Sequence, residues 1–160
     1  MSKPKILELE EEIESLKKNT AKNIITMKKA KGSINITEAW GNTLLQGTEY
    51  CKIGDKLTID NGKIKIGAGI SKVLVSAHSN GINTSSITGD KGISLKKGDS
   101  SIAENYIGGG LNAYHQGVTV APILVDVVEG DEISVALFCS ATGTLQFLDC
   151  FLTVEAVEYI

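Results

Sequence analysis

The apolar residues change their period along this chain. Near the N-terminus they stand at Ile6, Leu9, Ile13 and Leu16, with spacings of three, four and three. That stripe lies on one side of an amphipathic helix and predicts a helix from about Pro4 to Asn19. From about Lys56 onward, apolar and polar residues alternate in short runs broken by turn residues. Alternation of that kind marks strands with one buried face. The expected organisation is a coiled-coil attachment segment over 1–32 and an all-β head over 33–160.

Charges around the helical stripe support self-pairing. With Ile6 and Ile13 at a, and Leu9 and Leu16 at d, the g-to-e pairs of a parallel assembly are Lys5–Glu10 and Glu12–Lys17. Both are opposite in sign, and each exposed pair contributes only ~0.5 kcal/mol. Two heptads are marginal alone. The continuing register meets Thr20 and Asn23, poor seam residues. The helix is therefore expected to assemble only where another contact already holds the chains together. The competing arrangement packs the stripe on the chain's own head.

Turn chemistry places the strands. Asp60-Asn61-Gly62 stands between Leu57–Ile59 and Lys63–Ile66, and Asn-Gly is a strong hairpin signal because both turn positions need positive φ. Val73, Val75 and Ala77 mark one face of the next strand, and Glu129-Gly130-Asp131 separates Ile123–Val128 from Ile133–Cys139. Ser33–Thr37 reads as a first strand, and Trp40–Tyr50 as loop or edge strand. Leu148, Cys150, Leu152, Val154 and Ala156 would form the core face of a last strand. Phe147, Phe151 and Val157 would then stand among polar groups on its other face, half-buried against another subunit. Many short strands separated by turns point to a sandwich or barrel.

Composition narrows the function. The net charge of -3 argues against nucleic-acid binding. Lys28, Lys29 and Lys31 read as a solvated junction. No apolar run approaches the ~20 residues of a membrane span. No apolar signal-peptide core follows Met1, so synthesis in a host cytoplasm without export is expected. The three cysteines, Cys51, Cys139 and Cys150, form neither a disulfide framework nor a zinc spacing, although a Cys139–Cys150 bridge stays open. His78 and His115 are the only histidines, and neither has a readable nucleophile beside it. An enzyme, a cofactor and a bound metal are not expected, apart from a cation that Asp149 and Glu155 could share near a symmetry axis. The richest ligand candidate is the glycine-rich stretch carrying Tyr106, Asn112, Tyr114, His115 and Gln116, whose aromatic and amide groups suit a sugar.

Two stretches carry a resemblance. Ile123 to Leu137, with the last strand at Phe151–Glu155, resembles the end of a tumour-necrosis-factor/complement-head-type jelly roll, and Asp60 to Ala77 resembles its earlier hairpin and following strand. Such a head behind a short coiled coil is similar to bacteriophage fibre and appendage proteins. The resemblance implies a jelly-roll β-sandwich and a homotrimer. It also implies a virion location, attachment to a virion structural protein through the N-terminal segment, and a head that contacts a host-surface glycan or protein. A capsid-decoration or assembly trimer without a receptor is the alternative, and a bacterial cytokine-like or lectin-like module a third reading.

Overall fold

The computed structural model describes residues 5–83, 87–108 and 115–160, with backbone alone at 18–20. One helix, α1 (Lys5–Thr20), precedes the strands. These are β1 (Ile24–Lys29), β2 (Gly32–Ile36), β3 (Thr43–Leu44), β4 (Thr48–Ile53), β5 (Leu57–Asp60), β6 (Lys63–Ile66) and β7 (Ile70–Asn83). After them come β8 (Lys91–Lys97), β9 (Ser100–Ile107), β10 (His115–Asp126), β11 (Glu132–Cys139), β12 (Gly143–Phe147) and β13 (Cys150–Tyr159).

The strands form two antiparallel sheets of a jelly-roll sandwich. The first runs β2-β12-β7-β13-β1-β4, with β10 also on β7; the second runs β5-β6-β11-β8-β9, with β3 also on β11. Inward residues alternate along each strand, as the pleat requires. Ile25, Met27, Val73, Val75, Leu152 and Val154 of the first sheet meet Ile64, Ile93, Leu95, Ile133, Val135 and Leu137 of the second in one core. The hairpin at Asp60–Lys63 forms as its sequence predicts, with Asn61 at φ 48° and Gly62 at φ 75°.

The head begins earlier than expected. Ile24–Lys29 is a strand lying between β13 and β4, so residues 24–32 belong to the sandwich and not to the attachment segment. Met27, which falls on the continuing helical register, is a core residue at 1% exposure. Asn23 explains the change of structure. It is buried; its side-chain amide donates to Ala21 O at 2.8 Å and Tyr159 Oη at 3.2 Å, while its carbonyl accepts from Lys56 N–H at 3.0 Å. A residue that ruins a coiled-coil seam here ties three segments of the head together.

The last strand also differs from its expected form. The ladder to β7 passes from β13 to β12 through Asn80 N–H to Asp149 O and Leu148 N–H to Gly81 O. Leu148 and Asp149 interrupt the alternation, as an extra residue in a strand does. Phe147 therefore points inward at 1% exposure, and Leu148 is only half-buried. Phe147 is a core residue and not part of an outer contact face.

Candidate binding faces

On α1, Ile6, Leu9, Ile13 and Leu16 are 70%, 54%, 49% and 57% exposed. The stripe is therefore not packed on the head of its own chain, which removes the competing arrangement for it. Lys17 pairs within the helix with Glu14 at 3.3 Å.

The outer face of the first sheet carries rows that cross several strands in register. One row runs Leu124, Leu74, Glu155, Ile24, Ile53 across β10, β7, β13, β1 and β4. Leu124 is 64% and Ile53 55% exposed. The next row is small and polar: Ser76, Thr153, Thr26 and Cys51, with the Thr26 and Thr153 hydroxyls 3.0 Å apart. The third runs Thr119, His78, Phe151, Lys28. There Tyr50, at the β4 bulge, meets Phe151 edge-on at 5.7 Å. The Lys28 ammonium lies 5.5 Å from the Tyr50 ring centre and 5.4 Å from that of Phe151, and pairs with Asp149 at 2.9 Å. His78 bonds Thr119 Oγ1 at 2.7 Å and Asn80 Oδ1 at 2.9 Å, so both of its nitrogens are engaged in structure.

Of the three expected head-contact residues, Phe151 is half-buried on this face, Val157 is exposed near the end of β13, and Phe147 is absent from it. Tyr50, Ile53, Leu74 and Leu124 belong to it without having been singled out, since only the strand register brings them together.

The candidate ligand loop is shorter than expected and splits between the sheets. Tyr106 belongs to β9 in the second sheet; His115 and Gln116 belong to β10 in the first. Asn112 and Tyr114 lie outside the described residues. His115 lines a cleft of about 480 Å³ with Lys31, Gly32, Ser33, Gln146 and Phe147. Gly81 makes room for it, since a Cβ there would meet His115 Cβ at 2.6 Å. Beside the cleft, the Asn83 amide donates to Gln146 Oε1 at 2.9 Å.

The three cysteines are free thiols, and burial pushes that of Cys150 up to about 11, which leaves it protonated and unreactive. Among the described residues no three His, Cys, Asp or Glu side chains cluster as metal ligands, and no helix is long and apolar enough to cross a membrane. Asp149 and Glu155 face lysines of their own chain, Lys28 at 2.9 Å and Lys22 at 3.4 Å.

No family model matches the sequence, and no curated protein matches it. Solved structures do share the fold. Vertex protein P5 of PRD1 is 18% identical with a TM-score of 0.63, over 86% of this chain and 99% of that one. Murine APRIL at pH 5.0 is 10% identical with a TM-score of 0.62, over 85% of this chain and 99% of that one. The same protein at pH 8.5 gives 0.61 over the same shares. The chain thus has a jelly-roll head of the kind found both in PRD1 vertex protein P5 and in murine APRIL.

Proposed function

We propose that this chain is a self-associating virion appendage, a binding protein and not an enzyme, whose β head meets the host surface. The observation that carries the reading is the likeness in fold to a solved chain of a vertex protein, over 99% of that chain. The open face of the first sheet supports self-association. Leu124, Leu74, Ile24 and Ile53 flank Glu155 in one row, and Phe151 and Tyr50 lie beyond a small polar row, so apolar groups are spread across the face among polar ones. In the assembly we envisage, three chains bury this face, and the helices, already brought close, pair through Ile6, Leu9, Ile13 and Leu16. The helical end then attaches to a structural protein of the particle, and three heads multiply individually weak host contacts.

Light scattering of the purified chain tests the assembly. The expected mass is three times the 17.0 kDa chain. Leu124→Asp should raise the dissociation constant at least tenfold, a cost of about 1.4 kcal/mol. A monomer at micromolar concentration overturns the reading. A trimer that holds tightly to capsid and to no cell would instead favour a decoration protein without a receptor.

A further inference from the structure

The outer face of the second sheet is built differently. We propose that it is a carbohydrate-binding strip, formed by the open rings of Trp40 and Tyr106 on either side of a buried Phe138, that takes the apolar face of a neutral sugar chain. The inference rests on the host-contact reading above and gives that contact a place and a ligand class.

The chain has one Trp, four Tyr and three Phe, and three of these eight lie side by side here. Phe138 of β11, Gly92 of β8 and Tyr106 of β9 are direct neighbours in the ladder, so they share one row and one face. Gly92 leaves the middle of the row bare. A Cβ at that position would stand 2.4 Å from Phe138 Cζ and 2.5 Å from Asn105 O. The Phe138 ring thus lies over β8, reaching towards Tyr106. On the other side the Trp40 ring centre is 6.1 Å from that of Phe138, tilted by 33°. Phe138 is buried at 3%, while Trp40 and Tyr106 are 56% and 59% exposed, so two open rings flank a covered one.

Trp40 is held there against its own preference. Its φ is +65°, a left-handed conformation that costs energy in a bulky residue, and its N–H is fixed to Cys139 O at 2.7 Å. Burial offsets little of that cost, because the residue as a whole is 56% exposed.

The next row along the strands is Leu44, Ala136, Ser94 and Glu104, roughly 7 Å away at two residues' rise. Ser94 shares a hydroxyl hydrogen bond with Ser101, and Ser101 donates to Glu104 Oε1 at 2.7 Å. Ser94 is fully buried, so the exposed Ser101 hydroxyl and Glu104 carboxylate are the polar groups beside the ring faces; they match a sugar, which has a C–H face and a hydroxyl edge. The carboxylate in that row disfavours an acidic sugar. The strip is also too small for a stable protein partner. An aromatic side chain buries about 150–250 Å² in full, and two partly exposed rings fall well short of the ~800 Å² per side of a standard interface.

Trp40, as the chain's single tryptophan, reports on the strip directly. The intact protein is titrated with neutral hexose and N-acetylhexosamine tetrasaccharides and with a sialylated trisaccharide. Tryptophan emission and calorimetry are read, and binding to a panel of bacterial cells is measured in parallel. A neutral tetrasaccharide should change the Trp40 emission saturably. Trp40→Ala and Tyr106→Ala should each weaken binding about tenfold, with Trp40→Phe and Tyr106→Phe retaining most of it should the alanine variants fold poorly. Sugar binding that leaves the emission unchanged and survives both alanine variants overturns the strip but leaves the host contact standing, and its loss in His115→Ala would move the site to the cleft. Binding to cells with no binding to any sugar also overturns the strip. Failure to bind either sugars or cells overturns the host-contact reading itself.

Discussion

The two sheets share a core but turn different outer faces to water. On the first, Leu124, Leu74, Ile24 and Ile53 lie in a row that crosses five strands, with Glu155 at its centre. On the second, Gly92, Ser94, Ser134 and Ala136 are small and buried, and the exposed rings are Trp40 and Tyr106 on either side of a covered Phe138, with Leu44 in the next row. Breadth suits a flat surface like the face itself, hence another copy. A narrow row of rings with hydroxyls beside it suits a small polyhydroxylated ligand. Inward-pointing residues decide the fold in both sheets, and the alternate positions are left to decide what each sheet meets.

The sharpest test of that division compares two phenylalanines four residues apart. Phe147→Ala should cost about 3–5 kcal/mol of stability in urea unfolding, because the ring is fully buried. Phe151→Ala, on the open face of the first sheet, should cost the fold much less and weaken assembly instead. Equal costs in the monomer would break the distinction between core and contact face.

A smaller effect tests the second sheet. Gly92→Ala places a methyl against the Phe138 ring and the Asn105 carbonyl and should cost about 1–3 kcal/mol. Ser76→Ala in the open middle of the first sheet should stay within about 0.5 kcal/mol. A neutral Gly92→Ala would show that Phe138 does not rest on β8.

The smallest effect is acid sensitivity at one ion pair near each sheet. The Lys28 hydrogen bond holds Asp149 below its ordinary 3.8, with burial opposing. Burial pushes Asp131 up, but Lys97 and the Val128 N–H outweigh it and leave that carboxyl low as well. Both groups have depressed folded pKa values, so their stabilisation is present above about pH 4 and is lost as pH falls through the folded values. Asp149→Asn and Asp131→Asn should each flatten the stability profile below pH 4 and leave its shape near neutrality unchanged. An unaltered acid slope would mean that neither pair contributes.

Much of the architecture was legible because local chemistry dictated it. Asn61-Gly62 demanded a hairpin, Gly130-Asp131 a turn, and the spacing of Ile6 to Leu16 a helix. What was hidden depended on contacts distant in sequence. β1 is screened by Asn23, Lys28, Lys29 and Lys31, which look like a solvated linker until Asn23 is seen bonded to Tyr159 and Lys28 lying over two rings. Phe147 lies on the face opposite to the one its spacing predicts, because no local signal marks the break at Leu148-Asp149. The aromatic strip was the least legible part, since Trp40, Gly92, Tyr106 and Phe138 meet only through the order of strands in the sheet.

The junction at Asn23 has a mechanical consequence. α1 ends at Thr20, and the chain enters the first sheet at Ile24, between β13 and β4. A pull on the helix is thus carried into a strand bonded on both edges. Freeing that strand means breaking two ladders where an edge strand has one, and the head's hold on its tether is set by the rate of that forced rupture.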